Sequence, residues 1–281
     1  MKNTVQYRVI RGIFLTFLIL YSLIILYPVF IMLIDSCKTG TELAKNSWGL
    51  PKNFTLENYA DLIIYNSGTL IRSYFNSIFI ATAHTVLVLL ISSLAGYAFA
   101  KYNFKGKNAL FVILLATMMV PAEITMPGVF LMFSKIKAIN SYSIQIFPGI
   151  ASVFCMYMLR ENIATIPDSL IESASLEGAS TLQIFWKIIV PLAKPAIGAM
   201  AILTFLGKFN DYLWPKTFLT KTEVMPIMVM LPTLSVDQNV YIVPWELMLA
   251  GCTLVSIPLI IVFLIFQDQF MSGITMGAVK E

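Results

Sequence analysis

The chain has 281 residues, of which 58% are hydrophobic and only 12% charged, and its mean hydropathy is +0.81. That balance excludes a soluble globular domain and points to a polytopic, all-helical membrane protein. The net charge of +4 comes without any block of like charge, so nothing suggests nucleic-acid binding, and Cys37, Cys155 and Cys252 lack metal-ligand or disulfide spacing and read as small core residues.

Residues 1–12 form a short basic tail with Lys2, Arg8 and Arg11, which places the N-terminus in the cytoplasm by the positive-inside rule. The first apolar run, Ile13 to Ile34, has no small-residue cleavage site and reads as a retained span. The mixed stretch 35–73 is expected to form an external lobe. Span two, about Tyr74 to Ala100, carries Asn76, the single histidine His84, and the small-residue string Ser92-Ser93-Leu94-Ala95-Gly96, which lets another helix approach closely. A histidine at that depth serves either as a proton relay or as an inter-helix hydrogen-bonding group, and the second is favoured. Lys101, Lys105 and Lys107 mark the following turn as cytoplasmic.

Span three, about Ala109 to Phe133, is interrupted by Pro121, Glu123 and Pro127. Either the break lines a cavity with its acid, or the span ends near Val120 and Glu123 is already in water. Span four is expected over Tyr142 to Leu159. Lys135 and Lys137 fall on the outer side, so the charge bias is weak and orientation rests on the N-tail and the 101–107 turn.

Residues 160–195 are a polar interval between spans. Ser169 with Glu172 has capping-box spacing just after Pro167, and Gly178 stands where a helix C-terminus takes a left-handed residue, giving a helix of about nine residues, roughly 13 Å long. Leu170, Ile171 and Ala174 share one arc of it, while Glu172 and Leu176 lie nearly opposite. Ser180 with Gln183 opens a second helix, with Leu182, Phe185 and Ile189 as its apolar face and Gln183, Lys187 and Lys194 as its polar edge. This helix is expected on the membrane surface, stopped by Pro191 and Pro195.

Glu172-Ser173-Ala174, three residues, Gly178, nine residues, Ile188, then Val190-Pro191 resembles the E-A-A-x3-G-x9-I-x-L-P loop of ABC importer membrane subunits. Ser173 stands for Ala and Val190 for Leu, and both exchanges keep a small or apolar side chain. Taken singly, Glu172 is equally a capping partner and Gly178 an ordinary helix stop. The resemblance implies instead that Glu172, Ser173, Ala174, Leu176 and Gly178 form a coupling helix that docks on a separate ATP-hydrolysing subunit.

Span five, Ala196 to about Trp214, ends in Gly207-Lys208-Phe209-Asn210-Asp211-Tyr212, where Lys208 can neutralise Asp211 three residues on. Phe209-Asn210-Asp211-Tyr212 is similar to the W-N-D-F sequence of the carbohydrate branch of these importers. Gly96-Tyr-Ala-Phe-Ala-Lys101-Tyr, Met119-Val-Pro121 and the tail from Gly273 to Lys280 are similar to the same branch, most closely to the six-span maltose-type permease subunit. Residues 215–244 are expected as an external loop that dips back or meets a binding protein, span six as Trp245 to Phe266 kinked at Pro258, and residues 267–281 as a flexible cytoplasmic tail.

The chain lacks a G-x4-G-K-[ST] loop, an H-E-x-x-H or G-x-S-x-G motif and any metal-ligand set, so it is not expected to be an enzyme or to bind a cofactor or metal itself. The resemblance implies a six-span permease domain over 13–266 in the cell membrane, with both termini cytoplasmic. It further implies a homologous second permease, two ATP-binding subunits holding ATP and Mg, an extracytoplasmic solute-binding protein and a sugar or oligosaccharide. Glu123, Asn210, Asp211 and Tyr212 are the candidate lining of the translocation path, although residues 210–212 serve equally as a structural hinge. The competing reading is an ion-gradient-driven secondary transporter using Glu123, His84 or Asp211; no inverted repeat supports it.

Overall fold

A computed structural model describes residues 5–235 and 243–278, and every regular element among them is helical. Three helices are long and apolar enough to cross a membrane by themselves: α1 (Val5–Asp35), α4 (Thr69–Lys101) and the last helix (Trp245–Ala278). Two further segments qualify only as bent pairs, so the described residues supply between three and five such spans.

The chain divides into two compact units. The first comprises residues up to Ile71 together with Leu231–Ser256. Its lobe contains α2 (Gly40–Lys45), α3 (Glu57–Ile64) and a 3-10 turn at Tyr65–Gly68. The lobe is tied together around a fully buried lysine. Lys38 Nζ lies 2.6 Å from Asp35 Oδ1 and donates to the carbonyls of Asn46 and Gly49, both at 2.7 Å. Asn58 donates to the carbonyls of Ser36 and Lys38, fixing α3 on the same chain segment. The Lys52 N–H, donated to Glu42, holds that carboxyl below its ordinary range. In α1, the most apolar window is entirely unburied, as expected of a helix that is apolar all round and faces lipid or another chain.

The second unit comprises Arg72–Met230 and the chain from Ile257 on. Its first bent pair is α5 (Lys107–Thr117) and α6 (Ala122–Lys135), meeting at 94°. Pro121 disfavours helix at Val120 and begins α6, so the expected span three is two helices. Span four is likewise not continuous: α7 (Ser143–Ile146) is followed by a break and then α8 (Val153–Ala164). Pro148 cannot donate to a helical ladder and Gly149 takes a φ of +83°, so the chain turns there, and the Ser152 side chain caps the restart by accepting from Cys155 N.

After α9 (Asp168–Leu176) come α10 (Thr181–Ile184), a π-helical turn over Phe185–Ile189, α11 (Val190–Leu192) and α12 (Lys194–Phe209). The expected stop at Pro191 does not occur. The Val190 N–H bonds the Phe185 carbonyl, five residues back, and this wide turn accommodates the proline ring that would strike the carbonyl four residues before it. The bend comes instead at Ala193, where the segments before and after it meet at 78°. Ile184, Phe185 and Ile189 are buried and Leu182 is exposed, which corrects the expected apolar face of Leu182, Phe185 and Ile189.

Residues 213–235 are α13 (Leu213–Phe218), a 3-10 turn, α14 (Ile227–Met230) and a second 3-10 turn. Within the second unit this segment dips back onto α4. Asn76 donates to the carbonyls of Glu223 and Met225, and Ser77 Oγ accepts from Ile227 N at 2.7 Å. The last helix, α15 (Trp245–Ala278), contributes to both units and runs through Gly273 and Gly277. The stretch 267–278 is therefore helix, not the flexible tail expected from its glycines. Each glycine costs about 1 kcal/mol in a helix, but extending an existing helix needs no new nucleus. Residues 279–281 of the expected tail, and 236–242 of the expected external loop, lie outside the described residues.

Candidate functional site

The nine-residue helix of the polar interval is present as α9. It begins two residues earlier than the capping-box spacing implies: Pro167 is the N-cap, Asp168 occupies the first turn, and Ser169 makes no capping bond. A tertiary contact sets that start. Lys101, at the end of α4, donates to the carbonyl of Ile166 and to Asp168 Oδ1 at 2.7 Å, with the Ala164 carbonyl at 3.4 Å. These bonds outweigh a side-chain cap worth about 1 kcal/mol.

The C-terminus of α9 closes as a Schellman motif. Gly178, at φ +84°, donates to the Ser175 carbonyl and Ala179 to the Ala174 carbonyl, both at 3.0 Å. Ser180 then opens α10 with a complete capping box: Ser180 N donates to Gln183 Oε1 at 2.7 Å, and Gln183 N to Ser180 Oγ at 3.3 Å. A helix stop and a helix start thus meet with only Ala179 between Gly178 and Ser180, which makes the corner stiff. Tyr102 adds a brace by donating to Thr181 Oγ1, while the Tyr97 ring lies 5.8 Å from that of Phe185.

Ile171, Ala174 and Ala179 pack against a core formed by Leu159, Ile163 and Ile166 around α8, Phe185 and Ile189 of the next helix, and Tyr97 of α4. Leu170, expected on the same arc, is 44% exposed. The opposite face carries exposed Glu172, Ser173 and Leu176, the last 90% exposed. Ala174 belongs to the buried side of this helix, so Glu172, Ser173 and Leu176 are its outward group.

The candidates for the path are not assembled into one site. Glu123 lies exposed in the first turn of α6, where a carboxylate favours the positive helix end. Asn210 is the exposed C-cap of α12 and Tyr212 is 44% exposed. Asp211 accepts from Lys208 Nζ at 3.0 Å through one oxygen and from Trp214 N at 3.2 Å through the other. It therefore caps the corner between α12 and α13. His84 is an inter-helix group: its Nδ1 donates to the Ile146 carbonyl at 2.7 Å.

Gly96 shows how closely α4 meets α8, since a Cβ built there would lie 3.0 Å from Arg160 N and 3.2 Å from the Met156 carbonyl oxygen. Ser92 donates to the Ser152 carbonyl along the same contact. The sequence marks Lys101 as a topological charge and, with Tyr102, as part of the stretch resembling the carbohydrate branch, but not as the brace of α9 and α10. Its one local signal is a cation seven residues after Leu94, at the end of a helix with the small-residue face.

Residues 89–275 match the family model of the binding-protein-dependent transport system inner membrane component. The chain belongs to this family. The permease is 35% identical over 284 residues to the arabinooligosaccharides transport system permease protein AraQ of Bacillus subtilis (strain 168), covering 100% of this chain and 99% of that protein. It is 30% identical to the maltodextrin transport system permease protein MalD of Streptococcus pneumoniae, over the full length of both. Among solved structures, the permease superposes with a TM-score of 0.80 and 25% identity on a chain of a bacterial ABC transporter involved in import of the acidic polysaccharide alginate, covering 96% of this chain and 99% of that one. The permease is thus an all-helical membrane component of an ABC importer, as the resemblance of its polar loop implied.

Proposed function

We infer that this permease forms, with a homologous second permease, the membrane path for a sugar or oligosaccharide delivered by an external binding protein. Uptake is driven by two separate ATP-binding subunits, which hold the ATP and Mg. The observation that carries the coupling role is Leu176. A leucine 90% exposed, beside an exposed glutamate, sits on a short helix whose other face is fixed in the core and whose two ends are closed by backbone and side-chain bonds. A rigid apolar knob of this kind is suited to a groove on a partner and transmits displacement to α4 through Lys101 and to α10 through the 178–180 corner. On this reading Glu172, Ser173 and Leu176 touch the ATPase, Ala174 seats the helix, and Gly178 sets the bend. Both termini lie in the cytoplasm. The names of the relatives, which concern arabinooligosaccharides and maltodextrin, support a carbohydrate cargo.

The test is uptake in proteoliposomes containing the full complex with ATP inside. Uptake is expected to persist when an uncoupler collapses ion gradients, whereas an ion-driven transporter would stop. Glu172→Lys and Leu176→Asp are expected to insert normally and to lose binding-protein-stimulated ATP hydrolysis together with transport. Wild-type transport by both variants would overturn the coupling assignment.

A further inference from the structure

The second unit contains a cavity of about 320 Å³, at the lower end of the range for small-molecule sites, that none of the residues expected to line the path helps to form. It opens where α4, the break before α8, and α12 meet. His84, Ser152, Phe154, Thr204, Gly207 and Lys208 line it. The interruption of span four makes room for it, since an unbroken helix through Phe147–Ser152 would carry side chains where the chain instead turns at Gly149.

The chemistry of the lining is specific. A carbonyl can only accept, so the bond from His84 Nδ1 to Ile146 places a proton on Nδ1, and in the neutral ring Nε2 is then an acceptor. Lys208 uses one of its protons on Asp211 and has two more to donate. Among the described residues the Thr204 hydroxyl has no hydrogen-bond partner, and Phe154 is 45% exposed. A Cβ built on Gly207 meets no atom within 4 Å, so that side of the cavity is open. Donors, an acceptor and an aromatic face converge at membrane depth, where leaving them unpaired is costly. Lys208 and Asp211 cancel in charge, which suits a neutral polyhydroxyl ring better than an anion.

We propose that this subunit binds one neutral sugar ring in the cavity, with His84 Nε2 accepting from a hydroxyl, Thr204 and Lys208 donating, and Phe154 covering an apolar ring face. The site rests on the permease reading above and adds that this chain contacts the cargo itself. It is tested in the reconstituted complex by counting molecules of radiolabelled arabinotriose or maltotriose moved per ATP hydrolysed, with a uronic-acid trisaccharide for comparison. Thr204→Val, which removes the hydroxyl at constant shape, and Gly207→Leu, which fills the opening, are expected to lower that ratio by about ten-fold or more while stimulated ATP hydrolysis persists. An unchanged ratio in both variants, an equal loss of hydrolysis and transport, or equal transport of the uronic-acid trisaccharide overturns the proposal. Failure of the wild-type complex to move either neutral sugar with ATP overturns the permease reading, and the site with it.

Discussion

Lys101 illustrates how one side chain links the membrane to the polar loop. Its side chain is only 6% exposed, whereas that of its ion-pair partner Asp168 is 74% exposed. The ion pair is screened and worth little, but the Ile166 carbonyl depends on the ammonium within a buried setting. Asp168→Asn is therefore expected to change thermal unfolding in detergent by less than about 1 kcal/mol, and Lys101→Met to destabilise by about 1–3 kcal/mol. Gly178 follows a different rule. No atom lies within 4 Å of a Cβ built there, so its requirement is conformational. Gly178→Asn, which tolerates a positive φ, is expected to unfold close to wild type, and Gly178→Val to lose roughly 1–2 kcal/mol in the same assay. Lys38 is the most demanding residue of the lobe, because Lys38→Met would leave Asp35 buried without its cation; a loss of about 3–5 kcal/mol is expected.

Helix packing follows from where small residues fall. At Gly96 the obstacle to a side chain is the backbone of α8, which cannot swing aside as a side chain can. Gly96→Val is expected to force the two helices apart and cost about 1–3 kcal/mol. Gly128, on α6, meets nothing within 4 Å. Gly128→Ala is expected to stabilise by up to about 1 kcal/mol through helix propensity alone, and thermal unfolding of the pair separates packing from propensity. The π turn before Pro191 belongs to the same scale. It lets one helical segment pass a proline and still bury Phe185 and Ile189 beneath the corner that carries α9.

For the molecule as a whole, the testable quantity is orientation. Cysteines introduced as Lys105→Cys and Lys137→Cys, both at exposed positions, are expected to lie on opposite sides of the membrane. In a variant lacking the native cysteines, a membrane-impermeant maleimide added outside should label position 137 and spare position 105 until the membrane is permeabilised. The opposite pattern would invert the cytoplasmic assignment of α9 and of both termini. The unburied apolar window of α1 is a surface suited to lipid or another chain, and the exposed face of α9 is the one proposed above to meet the ATPase.

Composition and local chemistry determined the membrane class, the length of α9, the bend at Gly178 and the capping box at Ser180 and Gln183, because each rests on contacts within a few residues of itself. The family was legible for the same reason, since its spacing pattern records a helix stop and a helix start. Where α9 begins was decided by tertiary structure; the break of span four at Pro148 and Gly149 and the π turn that passes Pro191 rest on local backbone geometry that helical periodicity does not record. The start of α9 is set by a lysine 67 residues upstream, and His84 is oriented by a carbonyl 62 residues away. A capping bond of about 1 kcal/mol yields to such contacts, and no periodicity along the chain records which distant group will supply them.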